Sequence, residues 1–175
     1  MKKVYHFNNQ ELLNVDEAVK VSEELINNYF KLSSSQWLKN RYDIKTAKDL
    51  AGHEYIDGPF AQVIKYEARK KDASLGSSSF SFYKVCLQDN AILSTVARIE
   101  NLSLEPFLLY ILTHELIHIV RFLKFQQRYE NRNEADVTLD EERRVHFLTH
   151  EILKSVPILR LHQVFEFYKD WIPVS

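Results

Sequence analysis

The sequence predicts a mainly α protein, α+β with a minor sheet, built as one compact helical domain around a buried helix that carries His114-Glu115-Leu116-Ile117-His118. Three observations carry that prediction. The chain holds only three glycines and four prolines, which favours long helices over a many-turned β architecture. Apolar residues recur at helical spacing in several segments, while only one segment alternates convincingly as a strand. A length of 175 residues, 45% of them hydrophobic, fits a single domain over 1–175, large enough to bury about two-thirds of its unfolded surface without disulfide staples.

The first helix is expected over about 15 to 32. Asn14 with Glu17 three residues later makes a capping-box-like start, and Val15, Ala18, Val19, Leu25, Ile26, Tyr29 and Phe30 form the apolar stripe. A short helix is expected from Thr46 to Ala51, and His53 to Pro59, with Gly58-Pro59, reads as a loop. Phe60 to Glu67 alternates and is the one clear strand, with a hairpin partner the pattern does not reveal. Gly76 to Ser79 reads as a turn ending in an N-cap, with a helix from Phe80 to about Arg98.

Pro106 suits the first turn of a helix running to about Phe125, apolar on every face and therefore buried. Gln126 to Val137 is polar and reads as a surface loop. Thr138-Leu139-Asp140-Glu141 reads as a capping box that opens a helix to about Lys154; Pro157 ends it before a last helix around Leu159 to Tyr168.

Charge and composition exclude several function classes. Lys+Arg 23 against Asp+Glu 24 gives a net charge of -1, and the one basic cluster, Arg69-Lys70-Lys71, is too small for counterion-driven binding, so nucleic acid is not an expected partner. The longest unbroken apolar run, Phe107 to Leu112, is six residues against the roughly 20 needed to span a bilayer, so no membrane partner is expected either. A single cysteine, Cys86, and a start without an apolar signal core predict a reduced, cytoplasmic protein, with Cys86 as a buried small hydrophobe in its helix.

The chemistry is concentrated in the buried helix. Histidines at i and i+4 stand one turn apart on one face, so His114 and His118 can reach a single metal ion, with Glu115 beside them directed at a bound water. Two imidazoles and a carboxylate among apolar faces carry a desolvation cost of several kcal/mol unless something pairs with them, and a divalent cation is an economical partner. Hydrogen bonds to carbonyls, with Glu115 paired to a residue such as Arg121, are the alternative. A catalytic zinc takes a third protein ligand. If Glu141 is committed to its own capping box, its neighbour Glu142 is free to project about 100° further round and is the expected third ligand. His146, one turn later, can orient Glu142, hydrogen-bond a reaction oxyanion, or replace Glu142 as the ligand.

HELIH, followed 24 residues after His118 by Glu142, resembles the zincin metallopeptidases, and in particular the gluzincin arrangement in which a glutamate from a following helix completes the site. The resemblance covers Leu112 to about His150, and its specific part is the HExxH sequence. It implies a zinc (Zn2+) cofactor on His114, His118 and Glu142, Glu115 as the base that activates water, and hydrolysis of a peptide or protein substrate. Gluzincins commonly carry aspartate four residues after the ligand glutamate, where this chain has His146. Zincins also set a sheet edge beside the active helix, whereas here the preceding segment reads as helix and the clear strand is distant in sequence.

Other readings of the same residues are a structural site of His114, His118, His146 and His150, and a non-enzymatic metal-binding or metal-stabilised interaction module. A di-iron bundle requires a second Glu-x-x-His, which is missing. Tyr83, Tyr110 and Tyr129 are candidate oxyanion donors by the resemblance.

Overall fold

In a computed structural model, which describes residues 3–33, 42–69, 79–125 and 134–171, one helix is wrapped by all the others. The order is α1 (Asn9–Phe30), β1 (Tyr42–Lys45), two 3-10 turns (Ala47–Asp49 and Gly52–Glu54), β2 (Ala61–Arg69), β3 (Ser79–Leu87), α2 (Asp89–Arg98), α3 (Leu104–Phe125), α4 (Glu134–Leu153) and α5 (Leu161–Phe167). The protein is mainly α with a small sheet, as expected.

α1 starts six residues before the expected helix. Asn8 is the cap: its side chain accepts from Glu11 N at 2.8 Å, and the Glu11 carboxylate accepts from Asn8 N at 2.9 Å. Asn14 and Glu17 therefore sit inside the helix. Lys31, in the left-handed region at φ 56°, closes it.

The sheet order is β1-β3-β2, with β1 parallel and β2 antiparallel to β3. β3 supplies the missing hairpin partner, in a register that sets Val63 opposite Val85 and Ala61 opposite Leu87. It also corrects the expected helix over Phe80–Arg98, which is strand to Leu87 and helix only from Asp89. The run F-S-F-Y-K-V is rich in aromatic and β-branched residues and fits a pleated surface; strand pairing on both sides outweighs its weaker helical spacing. Thr46 to Ala51 forms only a 3-10 turn.

α3 packs against α1, α2, α4, α5 and β2. Phe107, Leu108, Tyr110, Leu112, Leu116, Ile117 and Ile119 are all 0% exposed, each contributing about 1.5–3 kcal/mol by burial. By length and composition the stretch Leu104–Lys124 is apolar enough to cross a membrane, which the six-residue run did not reveal, because Thr113, His114, Glu115 and His118 interrupt the run without making the helix polar. Within the fold, 72% of its most apolar window is buried, and its neighbours are other parts of the chain.

α4 begins at Glu134, four residues before Thr138, so the expected capping box does not exist. Glu141 lies inside the helix, where its carboxylate takes Arg121 Nε at 2.6 Å and Nη2 at 3.0 Å. This ion pair fastens α4 to α3 one residue before Glu142. The N-terminal segment and the 47–49 turn are tied to α2 by the buried Asp89 carboxylate, which accepts from Phe7 N and Ala47 N at 2.9 Å each. The expected turn at Gly76 to Ser79 and loop at Gln126 to Val137 fall largely outside the described residues.

Candidate metal centre

α3 and α4 cross so that His114 and His118 of one face Glu142 and His146 of the other. His114 Nε2 is 3.2 Å from Glu142 Oε2, His118 Nε2 is 3.0 Å from Glu142 Oε1, and the two Nε2 atoms are 3.1 Å apart. Three of the expected residues thus meet in one close triangle. His146 Nε2 is 4.0 Å from Glu142 Oε2, and the ligand atoms of His114, Glu142 and His146 lie within 4.8 Å of one another.

Proton counting shows why this set fits a cation. Each Nε2 carries at most one hydrogen, so three contacts share at most two protons. With both protons directed at Glu142, two N–H groups oppose each other at 3.1 Å; with one turned onto the other histidine, a ring lone pair opposes a carboxylate oxygen. A divalent ion among the three removes the conflict. Bonds of about 2.0–2.1 Å in a tetrahedron imply ligand separations of roughly 3.3 Å, close to the three observed. The other ring nitrogen of His114, Nδ1, points away from the triangle and is buried without a hydrogen-bond partner among the described residues.

The electrostatics follow from burial and proximity. Burial alone raises the Glu142 carboxyl, but hydrogen bonds and charge from His114 and His118 hold it well below the usual range. Burial alone lowers His118, but the Glu142 hydrogen bond and the carboxylates of Glu115, Glu142 and Glu141 raise it overall. Burial, reinforced by His114, brings His146 down to about 3, so its ring is neutral. Burial pushes the Glu115 carboxyl up, against the pull of His114 and His118. Arg121, the residue suggested as an alternative partner for Glu115, pairs with Glu141.

The site opens on a cavity of about 450 Å3, lined by all five polar residues and by Phe60, Ala61, Gln62 and Val63. The sheet edge missing from the sequence pattern is therefore present: β2, at the end of the sheet, reaches the cavity beside α3 through its first residues. Sequence distance concealed this, because the β2–β3 hairpin folds β2 back over α3. Of the candidate tyrosines, Tyr110 Oη lies 2.8 Å from His146 Nδ1, Tyr83 stacks on Phe122 and is not among the residues lining the cavity, and Tyr129 is outside the described residues. His150 packs on Phe165 and belongs to no metal-binding cluster among the described residues. Cys86 is buried in β3 rather than in a helix, and burial pushes its thiol up to about 11. Tyr168 and Trp171 stack around His146 and were not anticipated; nothing local in the sequence shows that the last helix returns to α3. No family model, curated protein or solved structure matches this chain.

Proposed function

We propose that the protein is a zinc-dependent metallopeptidase, a hydrolase that cleaves peptide bonds with His114, His118 and Glu142 as ligands and Glu115 as general base. The observation that carries this reading is the convergence of those four side chains and the edge strand β2 on one cavity. When bound, zinc supplies a Lewis acid and lowers the pKa of an associated water to about 7. The chain supplies the rest.

Glu115, which lines the cavity beside the ligands, takes a proton from the attacking water as its oxygen adds to the carbonyl carbon. The same carboxyl returns that proton to the leaving nitrogen as the C–N bond breaks. His146 lies beside the donor triangle, where a ring N–H can meet the carbonyl oxygen as it gains charge. β2 offers an extended peptide a strand to pair with, through main-chain hydrogen bonds that need little side-chain preference.

The decisive variant is Glu115→Gln, which removes the base and leaves the three ligands. The zinc-loaded parent is expected to cleave a mixed peptide library. The variant is expected to keep its zinc and lose turnover by at least about a hundredfold. Zinc binding by a parent that cleaves nothing would point instead to a metal-stabilised interaction module using the same residues.

A further inference from the structure

Behind the donor triangle, the hydrogen bond between Tyr110 and His146 has a direction that follows from burial. Tyr110 is 0% exposed, so its hydroxyl hydrogen needs an acceptor inside the protein. Among the described residues, His146 Nδ1, at 2.8 Å, is the one hydrogen-bond partner of that hydroxyl. Tyr110 therefore donates and Nδ1 accepts. In the reverse arrangement the phenol hydrogen would be buried with no acceptor among the described residues.

A neutral imidazole that accepts at Nδ1 carries its proton on Nε2. A protonated ring nitrogen has no lone pair to give a metal ion. The geometry agrees: His146 Nε2 is 4.0 Å from the nearest Glu142 oxygen, while the other two histidines approach that carboxylate to 3.2 and 3.0 Å. His146 stands just outside the triangle and faces the cavity. Its ring is held in place by Trp171, stacked at 4.8 Å, and by Tyr168, which itself stacks on Tyr110 at 4.1 Å.

We propose that Tyr110 is a positioning residue that sets the tautomer of His146, keeping it out of the ligand set and holding its Nε2–H toward the substrate carbonyl oxygen. The identity of that acceptor rests on the peptidase reading; the tautomer does not. The device differs from a carboxylate behind a histidine, which would favour the charged imidazolium. A phenol donor favours a neutral ring with one defined N–H.

The test is the proton position itself, read from long-range 1H–15N correlations of the histidine rings in the full chain, with His146 assigned by the signal lost in His146→Gln. The parent should show His146 with Nε2 protonated, before and after one equivalent of zinc. In Tyr110→Phe, which keeps the ring that stacks on Tyr168, the tautomers should mix. That variant should bind zinc as the parent does, with kcat down by about tenfold or more and KM within about twofold. Protonated Nδ1 in the parent, or loss of the Nε2 proton when zinc is added, overturns the proposal; the parent spectrum decides this even if the variant does not fold. Protonated Nε2 in a parent without peptidase activity would uphold the tautomer and remove the peptidase reading alone.

Discussion

Arg121 and Glu141 form the fastening on which the placement of Glu142 depends, and breaking it has a calculable effect. The pair joins α3 to α4 through two hydrogen bonds of 2.6 and 3.0 Å, with side chains 17% and 13% exposed. Charge-assisted bonds contribute about 1.5–3 kcal/mol, and this much shielding keeps the pair well above the 0–1 kcal/mol of an exposed one. Glu141→Gln keeps the shape and removes the charge, so a loss of about 2 kcal/mol is expected. For a chain of this size that corresponds to a Tm roughly 4–8 °C lower. Glu142 follows directly on the same helix, so loosening the contact between α4 and α3 is expected to weaken zinc binding as well. Thermal unfolding with chelator present reads the first effect and zinc titration reads the second. A double-mutant cycle with Arg121→Met isolates the pair. Additivity of the two substitutions within about 0.5 kcal/mol, together with unchanged zinc affinity, would refute the clamp.

Two further outcomes concern the scaffold. Leu116 is fully buried, on the side of α3 facing away from the two motif histidines, so Leu116→Ala should destabilise by about 2–5 kcal/mol in urea unfolding, and a loss below about 1 kcal/mol would mean that α3 is not the packed centre. Glu54 is 2% exposed and receives Lys84 Nζ at 2.7 Å, Tyr66 Oη at 2.7 Å and Ala51 N at 2.7 Å, and these bonds, Lys84 first, lower its carboxyl to about 2. A carboxyl lowered by folding stabilises fully above its unfolded value near 4.5 and loses that contribution as pH falls toward 2. Lys84→Met should therefore move the midpoint of acid unfolding to higher pH, as followed by circular dichroism; an unmoved midpoint would show that the pair does not govern acid stability.

The parts legible in the sequence were those whose signals are local. HExxH places two histidines on one face whatever surrounds it, and an apolar stretch on all sides marks α3 as buried, so the motif and its setting were both readable. The sequence picks out Glu142 through its neighbour: Glu141 is committed, but to Arg121 rather than to a cap, and the helix starts at Glu134. The hairpin was the main loss. Phe80, Tyr83 and Leu87 have helical spacing, and only β1 and β2 on either side decide for a strand. The same tertiary fact hid the sheet edge beside the site. The Asn8 box is masked in the sequence by a second Asn-x-x-Glu six residues on, because two such pairs in one helix look alike until the chain direction before them is known.

Zinc titration of the full chain, in the parent and in Glu142→Ala, tests most directly whether α3 and α4 jointly hold a metal. One zinc per parent chain is expected, with affinity in Glu142→Ala reduced beyond the roughly 100-fold that an outer-shell change produces. Equal stoichiometry and affinity in the two proteins would contradict the account.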